Sequence, residues 1–204
     1  MSKKPVIVFE GIEGSGKSSH IKNLANYLKK NKKEFLLIRE PGGNVNSEKI
    51  RKLILDKKSK FNKNTDLLLY LSSRSENIPI LKKNYKKKII LIDRFIDSTI
   101  AYQHFGLGIN IDLIKKINNY LLDGLKVDFT FLNIVSNKNM QNRLKLRKNL
   151  NRYDNFNSNF YAKVQNGFLK LSRIKKNRYF IVNSNLEIKK NKELIISKLK
   201  KLIK

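Results

Sequence analysis

Residues Gly11, Ile12, Glu13, Gly14, Ser15, Gly16, Lys17 and Ser18 satisfy G-x-x-x-x-G-K-[ST] at every fixed position. That spacing captures a polyphosphate. Glycines let successive backbone N–H groups curl around an anion, and the start of the following helix adds partial positive charge. Lys17 is placed to reach the β- and γ-phosphates, and the Ser18 hydroxyl to ligate Mg²⁺. The motif names a nucleoside triphosphate as ligand without saying what the triphosphate is used for.

Further chemistry gathers where apolar runs stop. Glu10 closes residues 6–9, Arg39-Glu40 closes 35–38 and Asp93-Arg94 closes 89–92. A carboxylate such as Asp93, just past a four-residue apolar run, stands where phosphate-loop proteins keep the acid that serves Mg²⁺; a turn or helix-capping role competes. Arginine suits planar, two-pronged phosphate contacts. Arg39 and Arg94 follow strand ends, and Arg51 lies on the helix after Pro41-Gly42-Gly43. Tyr70 and Arg74 sit four apart and share a helix face, as do Arg143 and Arg147.

The elements that must carry these residues read as alternating strands and helices. Residues 6–9, 35–38, 89–92, 129–132 and 179–182 are short apolar runs rich in β-branched and aromatic residues, predicted as buried strands. Helical spacing covers 17–28, 47–55, 66–81 with Pro79 as a point of interruption, the neighbourhood of 98–105, 112–122, 138–147, 161–174 and 187 onward. Residues 148–159 read as polar and irregular. The alternation predicts an α/β fold, a parallel sheet covered on both faces, with ligands beyond the carboxyl ends of the strands. No internal repeat or linker divides the chain, so one domain over 1–204 is expected.

Taken in order, Phe9 to Ser18, Arg39-Glu40-Pro41-Gly42-Gly43, Asp93-Arg94-Phe95 and Ser98-Thr99-Ile100-Ala101-Tyr102-Gln103 resemble the motifs of bacterial-type thymidylate kinases, and the resemblance spans essentially the whole chain. It implies a three-layer αβα P-loop NTPase fold with a central five-stranded parallel sheet, a helical lid near residues 140–155, and Mg²⁺-dependent transfer of the γ-phosphoryl group of ATP to dTMP. It also implies a cytoplasmic homodimer that feeds dTTP synthesis. An acceptor phosphate is already anionic and needs alignment and charge neutralisation rather than a general base. On the family's pattern Arg51 and Arg94, with Arg39, meet that phosphate. Tyr70 stacks on thymine, Arg74 bonds its carbonyl edge, and Ser98, Tyr102 and Gln103 line the nucleoside pocket. Glu10 falls near the metal and the sugar hydroxyl, with structural support of the loop as the other reading. Arg143, Arg147 and Arg152 fall in the lid, where basic residues close over the triphosphate; Leu150-Asn151-Arg152-Tyr153-Asp154 resembles the family's Leu-Asp-Arg-x-Glu. The chain departs from the pattern at Asn44, Leu107 and Asn151, where Thr, Arg and Asp are usual.

Composition limits the alternatives. The chain has 204 residues, no Cys and two His, which excludes a disulfide scaffold and a Cys-ligated zinc site. No apolar run approaches the roughly 20 residues of a membrane span, and the first residues are too short for a signal leader. Lys and Arg number 45 against 16 Asp and Glu, a net charge of +29. The excess is mostly Lys, comes with abundant Asn and Ile, and is spread along the chain, as in a protein from an A/T-rich genome. It therefore predicts no specific nucleic-acid partner. Two rival readings remain at this level. A deoxynucleoside kinase would attack with a neutral hydroxyl and need a base such as Asp93. A P-loop protein acting on nucleic acid would show hydrolysis stimulated by DNA or RNA.

Overall fold

The apolar runs form five strands: β1 (Val6–Glu10), β2 (Phe35–Arg39), β3 (Ile89–Asp93), β4 (Phe129–Ile134) and β5 (Tyr179–Asn183). In the computed structural model, which describes residues 4–148 and 150–204, they make one sheet in the order β2-β3-β1-β4-β5, every neighbouring pair parallel. The leader reading of residues 1–3 and the Asn149 position of the lid segment lie outside the described residues.

Alternation along the strands builds the three layers. Ile7, Phe9, Leu91 and Phe131 point to one face, where they meet Ile21, Leu24 and Leu28 of α1 (Lys17–Lys30) and Ile195 and Leu199 of α8 (Ile188–Leu202). Val6, Val8, Ile90 and Ile92 point to the other, against Ile78 and Leu81 of α3 (Lys63–Asn84) and Leu122 of α5 (Ile111–Leu122). Each fully buried Leu or Ile there contributes about 2 kcal/mol from apolar area alone. The remaining helices are α2 (Val45–Leu55), α4 (Ile96–Thr99), α6 (Asn137–Lys145) and α7 (Ser158–Ile174).

Three local expectations need correction. Pro79 does not interrupt α3, which runs five residues past it to Asn84; buried Ile78 and Leu81 on either side outweigh the missing N–H. The stretch near 98–105 is not a regular helix: α4 lasts four residues and continues as a π-helical segment, Ile100–Gly106. α6 stops at Lys145, so Arg143 and Arg147 do not share a helical face. The polar stretch beyond it contains a 3-10 turn, Arg152–Asn155. There Asn151 and Asp154 cap each other's backbone, so the Asn in place of the usual Asp still serves as a cap.

The sheet order sends the chain outward from β1 to β2 and back across to β4. The crevice this opens lies at the carboxyl ends of β1 and β3, whose register pairs Phe9 with Asp93. The phosphate loop and the Asp93-Arg94 corner therefore stand side by side, with the Arg94 N–H donating to the Phe9 carbonyl at 2.9 Å.

Candidate active site

The phosphate loop takes the conformation its glycines permit. Gly11 has φ 137°, and a Cβ there would lie 2.3 Å from the Asn133 carbonyl oxygen. Gly14 and Gly16 also have positive φ. The Lys17 ammonium lies in the loop's hollow and donates to the carbonyls of Gly11 and Ile12, both at 2.8 Å, and to Ser15 Oγ at 3.3 Å. Burial, with Arg94 nearby, lowers its pKa to about 7. The Ser15 hydroxyl itself donates to the Ile12 carbonyl, tightening the loop.

A cavity opens between this loop and the ends of β1, β2 and β3. Its phosphate-loop wall is Glu13, Lys17 and Ser18. Arg39 of β2, Arg51 of α2, and Arg94 and Arg147 from the connections after β3 and α6 face it. Arg39 is half-exposed and pairs with Glu48. Arg51 donates to the Pro41 carbonyl at 2.6 Å, and burial, then Arg39, holds its pKa below the usual guanidinium value. Arg94 adopts φ 66°, a conformation L side chains rarely take and which costs about 1–3 kcal/mol. The cost is met by an anchored side chain, which donates to the Gly11 carbonyl at 2.9 Å and to Glu13 at 2.7 Å and lies over the Tyr102 ring. Burial opposes ionisation of Glu13, but Arg94 and Lys17 outweigh it and keep that carboxyl below its ordinary pKa. Tyr102 adds a hydrogen bond to Glu13.

Asp93 and Ser18 come together at this wall, the hydroxyl donating to Asp93 Oδ2 at 3.3 Å. A carboxylate and a hydroxyl fit Mg²⁺, which keeps several waters and completes its shell with substrate phosphates rather than sitting in an all-protein cage. Among the described residues no cluster of three or more His, Cys, Asp or Glu forms such a cage.

The far end of the cavity is built around Arg74. It is 2% exposed and donates to Glu40 at 2.8 Å, to Thr99 Oγ1 at 3.0 Å and to Asn118 Oδ1. A guanidinium has five N–H groups, so two remain for a ligand. Tyr70, one turn earlier on α3, also lines the cavity, as do Ser98, Tyr102 and Gln103. Gln103 Nε2 is buried without a hydrogen-bond partner, a donor held for something else. Glu40, Thr99, Phe95 and Tyr153 line this end as well; all four fall in the stretches quoted from the sequence, which gave none of them a role in the site. Phe95 lies under the Arg74 guanidinium at 5.0 Å.

Three expected residues stand elsewhere. Glu10 is 1% exposed, and its carboxylate accepts from the Phe95 and Ser98 N–H groups and the Ser98 hydroxyl, tying β1 to the start of α4. Burial, then Asp97, pushes its pKa up to about 7. Those contacts are to the segment after β3 and not to the phosphate loop. Arg143 lies beneath the phosphate loop, donating to the Gly14 carbonyl at 2.9 Å and the Ser184 carbonyl at 2.6 Å. Arg152 turns away from the cavity to Asp66.

The family model described as thymidylate kinase matches residues 9–195. The chain belongs to the thymidylate kinase family. Thymidylate kinases of Thermosipho africanus and Sulfurihydrogenibium sp. are 40% and 38% identical to it, over 89% and 95% of this chain and 90% and 96% of theirs. The crystal structure of the Ehrlichia chaffeensis thymidylate kinase superposes with a TM-score of 0.77 at 32% identity, covering 96% of this chain and 98% of that one. The fold and the phosphotransferase class expected from the sequence are thereby borne out. Within the thymidylate kinase pattern, two departures have structural work. Asn44 caps α2 by accepting from the Ser47 N–H and ties it to α3 through Glu76 and Asn77. Leu107, where Arg is usual, packs on the apolar cluster around Tyr102 and Phe160.

Proposed function

We propose that this thymidylate kinase transfers the γ-phosphoryl group of ATP to dTMP, giving ADP and dTDP. The observation that carries the reading is the division of the cavity. One end holds the phosphate loop and a ring of arginines, and the other holds Tyr70 beside a buried guanidinium with spare donors. A monophosphate fits the first end beside the triphosphate. A flat base with carbonyl edges fits the second, stacked on Tyr70 and bonded by Arg74. Gln103 offers a further donor to the nucleoside.

Ser18 and Asp93 would hold Mg²⁺, which when bound supplies positive charge to the β- and γ-phosphates. Lys17 leaves its loop carbonyls for the terminal phosphates of ATP. Arg94 and Arg51, with Arg39, orient the acceptor phosphate so that its oxygen faces the γ-phosphorus in line. Arg147, held at the cavity by Asp154, neutralises charge as the phosphoryl group passes. Arg143 serves through the loop it braces. The Tyr102 ring crowds the position a ribose 2′-hydroxyl would need, which favours deoxyribose. No residue is needed to take a proton from the acceptor, which separates this reading from a deoxynucleoside kinase. The same reading makes the chain one catalytic domain with a lid near residues 140–155, a cytoplasmic homodimer in dTTP synthesis. No described helix is long and apolar enough to cross a membrane.

The test is ADP release with Mg²⁺ across dTMP, dUMP, dCMP, UMP and thymidine. The expected order puts dTMP first and dUMP weaker, with thymidine silent. Preference for thymidine would overturn the acceptor-phosphate assignment, and preference for another monophosphate the base pocket.

A further inference from the structure

We propose that Asp66 is a positioning residue, a latch on the acceptor-binding helix that fixes the roof of the acceptor cavity and, through it, Arg147. The proposal rests on the reading of this cavity as the acceptor site. Asp66, Tyr70 and Arg74 fall at four-residue intervals on α3 and so form one stripe along it. Tyr70 and Arg74 face the cavity, whereas Asp66, 5% exposed, meets the turn Arg152–Asn155. Its two oxygens are used separately: Oδ1 accepts from the Arg152 guanidinium, and Oδ2 accepts from the Tyr153 hydroxyl at 2.8 Å. The Arg152 guanidinium is further flanked by the Phe61 ring at 5.6 Å.

Tyr153 gives this contact its consequence. Its ring is a wall of the cavity and stands edge-on to Tyr70 at 5.9 Å and to Tyr102 at 6.0 Å, so it closes the pocket over the two rings assigned to the nucleoside. The next residue, Asp154, holds Arg147 Nη1 at 2.7 Å, and Arg147 reaches the phosphate end of the same cavity. One carboxylate on α3 thus sets both the roof over the acceptor base and the cation beside the transferring phosphate. A neutral side chain in place of Asp66 leaves the half-buried Arg152 guanidinium, whose buried Nε already lacks a partner, without its carboxylate, a costly arrangement that the turn would relieve by moving. This is the work Arg152 does in place of the direct phosphate contact expected from the sequence.

The experiment uses the full chain with Asp66→Asn, Tyr153→Phe and the double variant, read by steady-state kinetics and by amide exchange. Asp66→Asn is expected to lower kcat on dTMP about tenfold while the KM for ATP changes less than about twofold. Amide exchange across residues 151–156 is expected to speed up without substrate. The double variant is expected to be no worse than Asp66→Asn alone, because both changes break one connection. If Asp66→Asn does not fold, Tyr153→Phe, which removes a single hydroxyl, carries the same test with a smaller loss of kcat and faster exchange. Unchanged exchange, an unchanged kcat in a folded variant, or additive losses would each overturn the latch. A wild-type chain silent on dTMP would instead overturn the acceptor reading, and the exchange measurement, which needs no substrate, would still decide the latch.

Discussion

In its charged form Lys17 spends its three N–H groups on the loop that would otherwise surround phosphate. Its pKa of about 7 lies below the ordinary 10.5, so the ligand-free protein carries it mostly neutral at pH 8. A bound triphosphate restores the charged form. Titration calorimetry with ATP and Mg²⁺ at pH 8, in buffers of different ionisation heat, should therefore show uptake of about one proton, lost in Lys17→Met. Uptake that persists in Lys17→Met would place the proton elsewhere. Glu10 shifts the other way for an acid. Its folded pKa, about 7, stands above its ordinary 4.5, so its contribution to stability is present below pH 4.5 and is lost as pH rises through 7. Glu10→Gln keeps a hydrogen-bonding amide there and should flatten the fall in thermal stability between pH 5 and 8. An unchanged pH profile would contradict the assignment. Lys17 and Ser18 were legible because a phosphate loop fixes residue types at fixed spacing. Arg74 was legible from its helix face and the family pattern, and Glu40 as a polar residue closing a strand, but that Glu40, Thr99 and Asn118 hold Arg74 was not. A buried polar network drawn from three remote segments has no period to read.

Elements place these residues through close approaches. The π-helical segment that carries Tyr102 and Gln103 packs on α7 where two glycines meet aromatic rings. A Cβ on Gly167 would lie 2.5 Å from Phe105 Cδ2, and one on Gly106 would lie 2.7 Å from Phe160 Cε2. Gly167→Ala should destabilise the fold by about 1–3 kcal/mol, read by chemical denaturation. It should also raise the KM for dTMP, because relieving the clash moves the segment bearing Tyr102. Loss of stability with an unaltered KM would separate the segment from the pocket. The strands were legible as short β-branched runs, and their parallel order followed from the helices between them. The π-helical segment was not, since its residues carry ordinary helical spacing and nothing in that spacing marks a wider turn. The early end of α6 escaped for a related reason: Lys145 to Arg147 keep helix-forming composition, while Asp154 draws Arg147 toward the cavity.

At the scale of the whole molecule, the sheet order does the assembly. Five strands ordered β2-β3-β1-β4-β5 bring the loop after β1, the Arg-Glu-Pro corner after β2 and the Asp-Arg corner after β3 to one edge. Charges far apart in sequence then share one cavity, with arginines from four separate segments lining it together with Glu13 and Asp93. The net charge of +29 is a property of the surface at large and adds nothing to this arrangement, which depends on six cations, Lys17, Arg39, Arg51, Arg74, Arg94 and Arg147, in particular places. The central claim is that Arg39, Arg51 and Arg94 among them serve an acceptor that is already a phosphate. The direct measurement is the fate of the labelled γ-phosphoryl group of ATP in the presence of Mg²⁺, with dTMP and thymidine supplied in parallel. Label appearing in dTDP, and none transferred to thymidine, is the predicted result. Label transferred to thymidine, or released only as free phosphate, would contradict it.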